Sequence, residues 1–275
     1  MESKFISANG FRTHYIEAGQ GPVVVLLHSG EFGACSELTW EYNIPSLSRH
    51  FRVVAPDWLG YGKTAKYFDF EDMWHTRISH ISAFLAALKI DRAHFVGNSM
   101  GGTMLLYVAA MPLCPWPIES LIAVSGGGDV PDNSARQILN SYDGTIEHMQ
   151  KIVSTLFINP GMAANEAYVR RRHELSLVPG AWECAAAPRF RLSGRPPSSL
   201  SRPTIYSDIK RPCLLVAGQM DPLREPGWAE ALREKIPGAR LHLISRAGHC
   251  PQIDEPDEFN RVAIEYLQNE GMLQS

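Results

Sequence analysis

The sequence predicts an α/β protein built on a largely parallel sheet, and three observations carry that prediction. Short apolar, β-rich runs alternate with helical patterns from the N-terminus to about residue 128, the rhythm of βα units. The alternation stops, then resumes at Pro212. One strand-like run also leads directly into Gly97-Asn98-Ser99-Met100-Gly101 and a helical pattern, a tight strand-to-helix turn.

The first strands are expected at Thr13–Ala18, Val23–His28 and Arg52–Asp57. Val23 to Leu27 is apolar without alternation, as a central strand covered on both faces should be. A helix follows at Trp74–Lys89, a strand at Ala93–Asn98, a helix at Met100–Met111 and a strand at Ser120–Gly126. After the break come strands at Pro212–Gly218 and Leu241–Ser245, with helices at Trp228–Ile236 and Pro256–Asn269. Pro256, Asp257 and Glu258 suit the first turn of that last helix, where a missing N–H costs nothing and negative charge meets the positive end of the dipole. Asp129 to Ser207 is richer in Pro, Arg and Ser, and its periodic parts read as helical. It is expected to be an inserted helical lid, residues 129–207, on a core formed by 1–128 and 208–275.

Composition narrows the function. The 275 residues carry 29 acidic against 26 basic side chains, a net charge of -3, and so lack the basic excess of a nucleic-acid binder. No stretch approaches the length of a transmembrane span, and the charged start, with Glu2 and Lys4, lacks the apolar core of a signal peptide. The expectation is a soluble cytoplasmic protein acting on a small molecule. Cys35, Cys114, Cys184, Cys213 and Cys250 show no CxxC or zinc-site spacing, so they read as reduced thiols and no metal site is expected.

The turn at Gly97–Gly101 places Ser99 where a nucleophile would stand, since glycines let strand and helix approach while the hydroxyl projects. A serine hydroxyl needs a base, and the base needs an orienting acid. Asp221 follows the strand ending Val216-Ala217-Gly218, and His249 follows the next strand. Asp129, after Ser125-Gly126-Gly127-Gly128, is a competing acid, whereas Asp57 reads as a turn residue before Gly60 and Gly62. An oxyanion would need two fixed N–H donors, for which Met100 and Gly30 are the candidates. His28 reads as a buried residue that organises its turn.

With these residues in view, the chain resembles the α/β-hydrolase superfamily and, within it, the meta-cleavage-product hydrolases, carbon–carbon bond hydrolases of aromatic degradation. The matching stretches are Leu27-His28-Ser29-Gly30 with Gly33-Ala34, Phe51 to Asp57, Val96 to Gly102, and Gly248-His249 continuing to Asp257–Arg261. The order Ser99, Asp221, His249 is the superfamily's as well. The resemblance implies a mostly parallel eight-stranded sheet flanked by helices with an inserted helical lid, no cofactor, and a homodimer or larger homo-oligomer. It also implies that a lid arginine and the asparagine before the nucleophile bind and ketonise a 2-hydroxy-6-oxo-dienoate.

Asn98 matches that asparagine. Among Arg170, Arg171 and Arg172, helical residues about 100° apart cannot all face one cleft. Arg172 shares a stripe with Tyr168, Val169 and Leu175, and Arg172-His173-Glu174 fits the family's arginine, ring and glutamate. Ser29 joins Asn98 and Arg172 as a substrate-binding candidate. Two departures point to an altered substrate. Cys250 stands where a tryptophan usually follows the histidine, and Ser29 and Glu31 stand where glycines are common. Glu31 near the cleft would disfavour an anionic substrate unless its side chain points away.

The expected function is therefore serine-dependent hydrolysis at a carbonyl carbon, by preference C–C cleavage of a vinylogous diketone. A carboxylesterase or lactonase is the competing enzyme, and a small-molecule receptor on the same fold is the competing class.

Overall fold

The computed structural model describes residues 2–189 and 203–272, so part of the expected lid, 190–202, lies outside the described residues. Eight strands form one sheet: β1 (Glu2–Ala8), β2 (Phe11–Ala18), β3 (Val23–Leu27), β4 (Arg52–Pro56), β5 (Ala93–Asn98), β6 (Ile118–Val124), β7 (Cys213–Gly218) and β8 (Arg240–Ile244). Their order is β1-β2-β4-β3-β5-β6-β7-β8. β1 and β2 run antiparallel to their neighbours, and every pairing from β4 to β8 is parallel.

Seven strands fall within a few residues of their predicted positions, but β1 is not predicted from the sequence. Glu2–Ala8 pairs with β2 from Glu2↔Glu17 to Ala8↔Phe11 at the sheet's edge. Edge strands carry charge on a solvated face, and Lys4 binds Glu17 across the pair at 2.8 Å, so polar residues mask the alternation. At the centre, the continuous run of β3 is divided between the two faces. Val25 and Leu27 enter the cluster containing Phe84, Phe95 and Leu105, whereas Val24 and Leu26 enter the cluster of Trp40, Ile44 and Phe259. Both faces are covered, so alternation has no polar half to reveal it.

The helices in order are α1 (Ser36–Trp40), α2 (Ile44–Leu47), α3 (Met73–Ala87), α4 (Met100–Ala109), α5 (Ser134–Asn140), α6 (Ile146–Leu156), α7 (Pro160–Ala163), α8 (Glu166–Ser176), α9 (Ala181–Ala186), α10 (Trp228–Lys235), α11 (Pro251–Asp254) and α12 (Pro256–Met272). Five of them, α5 to α9, lie between β6 and β7, with no strand among the described residues of that insert. Thr145 caps α6 by accepting the His148 N–H, and Met149, Ile152, Val153 and Leu156 bury one stripe at helical spacing. Asn165 caps α8 in the same way, through Tyr168, and that helix buries Tyr168, Val169 and Arg172. These stripes join the core cluster over the sheet, which fixes the insert above the strand ends. No helix among the described residues is long and apolar enough to cross a membrane.

Candidate active site

The turn between β5 and α4 puts Ser99 at φ 54°, ψ -112°, a conformation that L-residues rarely adopt. Neighbours without side chains make it possible. A Cβ on Gly97 would lie 2.5 Å from the Gly101 carbonyl carbon, and one on Gly101 would lie 2.4 Å from the Leu27 carbonyl oxygen.

Two further strand ends complete the arrangement. Asp221 follows β7, and its Oδ1 accepts the Leu223 N–H at 2.9 Å, which orients the carboxylate. His249 follows β8 and is buried. Its Nδ1 lies 2.7 Å from Asp221 Oδ2, and its Nε2 lies 2.8 Å from Ser99 Oγ. With the ring proton on Nδ1, the carboxylate holds the tautomer whose Nε2 lone pair accepts the serine hydroxyl. Burial works to raise the Asp221 carboxyl, but the charge and hydrogen bond of His249, the Leu223 N–H and Arg224 outweigh it and hold the group below the usual carboxylate range. Asp129, the competing acid, instead has its backbone carbonyl on the Arg224 guanidinium at 2.9 Å.

The loop after β3 closes the other side. A Cβ on Gly30 would fall 2.7 Å from Met100 Sδ, so this loop rests against the residue that follows Ser99. The Tyr61 hydroxyl donates to the Gly30 carbonyl at 2.8 Å and fixes that peptide. Met100 is the first residue of α4, where an N–H has no acceptor within the helix. His28 organises the turn: its Nε2 accepts the Trp58 N–H at 2.9 Å and its Nδ1 donates to the Ser29 carbonyl at 2.6 Å. Burial pushes its pKa down to about 4, so it stays neutral. Asp57 lies away from the triad, bonded to His14 at 2.7 Å and to the Ser36 and Lys63 N–H groups.

Asn98 is fully buried. Its amide donates to the carbonyls of Val124 at 3.3 Å and His249 at 3.4 Å, so it ties the strand that leads to Ser99 to the loop that bears His249. Behind it the Cys250 thiol reaches Asn98 Oδ1 at 3.7 Å. Burial raises that thiol well above its ordinary pKa, so Cys250 is a packing group and not a thiolate. All five cysteines are free, and no cluster of metal-ligating side chains occurs among the described residues.

Of the three adjacent arginines, Arg172 turns inward, whereas Arg171 reaches Glu37 and Glu41 at 3.1 and 2.8 Å on the half-exposed side. The Arg172 guanidinium is shared among Phe32 O at 3.0 Å, the Tyr168 hydroxyl at 3.4 Å and Glu31 Oε2 at 3.1 Å. Glu31 is itself buried, and its other oxygen lies 4.0 Å from His249 Nε2. Burial would raise its carboxyl, but Arg172, then His249 and the Ser29 hydroxyl, hold it below the usual range. Ser29 thus faces Glu31 beside the triad.

Sequence reasoning does not single out Asp254, which clamps the histidine. Its carboxylate accepts the N–H groups of Gly248 at 2.8 Å, Ile158 at 3.1 Å and Asn159 at 3.0 Å, while the Leu156 carbonyl takes the His249 N–H at 3.1 Å. One acid therefore joins the insert to the loop that bears His249. Its only signal in sequence is a carboxylate five residues after a candidate base, which is too common to select.

The sequence profile of the alpha/beta hydrolase family matches residues 24–262. A 2-hydroxy-6-oxo-6-(2'-aminophenyl)hexa-2,4-dienoic acid hydrolase of Metapseudomonas resinovorans is 32% identical over 269 residues, covering 96% of this chain and 90% of the relative. A meta-cleavage product hydrolase of Pseudomonas fluorescens superposes with a TM-score of 0.86 at 27% identity, covering 97% of both chains. A serine hydrolase involved in carbazole degradation superposes with a TM-score of 0.83 at 30% identity, covering 97% of this chain and 98% of that one.

Proposed function

The chain belongs to the alpha/beta hydrolase family, and from that premise we propose a serine-dependent hydrolase that cleaves a C–C bond in a vinylogous diketone, the keto form of a 2-hydroxy-6-oxo-dienoate-like compound. The observation that carries the reading is the unbroken line from Asp221 through His249 to Ser99, at 2.7 and 2.8 Å. The relatives named for dienoate hydrolysis supply the bond class.

His249 Nε2 takes a proton from Ser99 Oγ, or from a water in its place, as the oxygen adds to the carbonyl carbon. The Gly30 and Met100 N–H groups receive the oxyanion. The bond to the neighbouring carbon then breaks, its electron pair is delocalised into the second carbonyl, and the proton held by His249 returns to that carbon, giving a ketone, or to the carbonyl oxygen, giving an enol. When Ser99 is the attacking group, water then hydrolyses the acyl-Ser99 ester; when water attacks directly, the acid is released at cleavage, and in both cases the products are an acid and an enol or ketone. Asp221 keeps the imidazole oriented throughout. Asn98 acts through the position of His249, and α5 to α9 serve as the lid that keeps bulk water away.

The test follows 2-hydroxy-6-oxo-6-phenylhexa-2,4-dienoate and its methyl ester by loss of dienolate absorbance, with products identified by mass spectrometry. Cleavage of either at the C–C bond, abolished in Ser99→Ala, supports the reading. Turnover of simple esters with neither compound cleaved would replace it with an ester or lactone hydrolase. The hold of Glu31 on Arg172 favours that second reading, because it occupies the arginine that would bind a dienoate carboxylate.

A further inference from the structure

The two departures in the oxyanion loop, Ser29 and Glu31, meet at one place in the cleft. Arg172 has its Nε, Nη1 and Nη2 each engaged, and the only carboxylate among those partners is the protein's own. Both members of the pair are buried, with side chains 3% and 8% exposed, so neither charge is relieved by water. Glu31 Oε2 takes the guanidinium, while Oε1 faces His249 Nε2 across 4.0 Å, so the carboxylate borders the edge of the imidazole that meets Ser99.

Backbone geometry keeps the pair in place. Gly33, two residues after Glu31, is at φ +70°, and a Cβ there would strike the Arg172 carbonyl oxygen at 2.1 Å. The loop can therefore lie directly on α8. Phe32, between them, packs on Tyr142 and Trp182 with ring centroids 4.8 and 6.0 Å away. A substrate anion would have to displace Glu31 from Arg172 and leave a carboxylate buried without its counter-charge, which is strongly unfavourable.

We infer that the Glu31 carboxylate occupies the place of a substrate carboxylate on Arg172, so the site selects carbonyl compounds whose end beside the oxyanion loop is uncharged and offers a hydroxyl for Glu31 Oε1 to accept. A neutral end needs no displacement, and an enol or phenol hydroxyl would meet an ionised acceptor, the stronger kind of hydrogen bond. A carboxylate there would face Glu31 at close range, with the Arg172 guanidinium already engaged. The inference rests on the hydrolase reading above, but it concerns charge at one end of the substrate and not the bond that breaks.

The experiment compares kcat/KM for two pairs similar in size but different in charge: the 6-phenyl dienoate against its methyl ester, and mono-p-nitrophenyl succinate against p-nitrophenyl butyrate. Wild type is expected to favour the neutral member of each pair by at least about tenfold, and Glu31→Gln to shrink that ratio by about tenfold or more as Arg172 becomes available. Saturating succinate should raise the melting temperature of Glu31→Gln and leave that of wild type unchanged, a readout independent of turnover. The p-nitrophenyl pair reads charge preference without C–C cleavage, so failure of the bond class and failure of this inference are distinguishable. Should Glu31→Gln not fold, Glu31→Gln/Arg172→Gln removes both buried charges, and its ratio should approach one. A wild type that prefers the carboxylates, or a ratio that neither variant alters, would overturn the inference.

Discussion

The two walls of the cleft are held by different means. On one, Ser99, Asp221 and His249 sit just after β5, β7 and β8, so strands of a single sheet fix their separations. On the other, Glu31 and Arg172 come from a loop and an inserted helix 141 positions apart, and meet only because Gly33 lets the loop lie on α8. The sheet wall is built for a reaction that needs one geometry. The insert wall rests on a contact between two distant segments, which a residue or two can alter.

The largest effect should come from breaking the sheet wall. Ser99→Ala removes the proposed nucleophile and is expected to lower kcat by about 10⁴ to 10⁶, measured by single-turnover kinetics on whichever substrate wild type accepts. A loss under tenfold would mean that His249 activates water without help. Asp221→Asn leaves the shape intact but weakens hold on the tautomer, with an expected loss of about 10³ to 10⁴. If Asp129→Asn instead gave that loss, the acid would be misassigned.

The difference between the walls also explains what was legible in the sequence. The elbow is local: five consecutive residues specify a strained serine, and the acid and histidine follow recognisable strand ends. The periodicity of α8 is local too, and it picks Arg172 over Arg170 and Arg171. What Arg172 meets is not local. Glu31 reads from sequence as a charge near the cleft with an undetermined direction, because the contact depends on how an insert is laid over a loop. Asp254 escapes for the same reason, since two of its three backbone partners, Ile158 and Asn159, lie in the insert. β1 is hidden by its exposed charges, although its pairing with β2 is as regular as any in the sheet.

Breaking the insert wall should cost stability before chemistry. Arg172→Gln leaves Glu31 buried without its cation, and is expected to destabilise the fold by about 3–5 kcal/mol in urea denaturation at neutral pH. A change below about 1 kcal/mol would show that water reaches the pair. Asp254→Asn strikes the join between the walls. Its carboxylate gathers three N–H groups, and an amide cannot accept them all with both ends. A displaced imidazole should lower kcat by about 10- to 100-fold with less effect on KM. Equal loss in both would place Asp254 in substrate binding instead.

The finest comparison is the pH dependence of those two stabilities. In wild type, the Glu31 carboxyl is held below its unfolded value of about 4.3, because Arg172, His249 and Ser29 outweigh burial. A depressed folded pKa stabilises the native state above the unfolded pKa, and that contribution is lost only as pH falls through the folded value. The pair therefore gives wild type no reason to lose stability between pH 7 and 5. In Arg172→Gln the main charge opposing burial is gone, so burial should carry the carboxyl above its unfolded value. The sign then reverses, because the native state takes up the proton more readily than the unfolded chain, and acidification relieves the variant. The stability gap between the two proteins should narrow from pH 7 to 5. A gap constant over that range would mean that Glu31 remains ionised without Arg172, and that His249 and the Ser29 hydroxyl alone suffice to hold a charge beside Ser99.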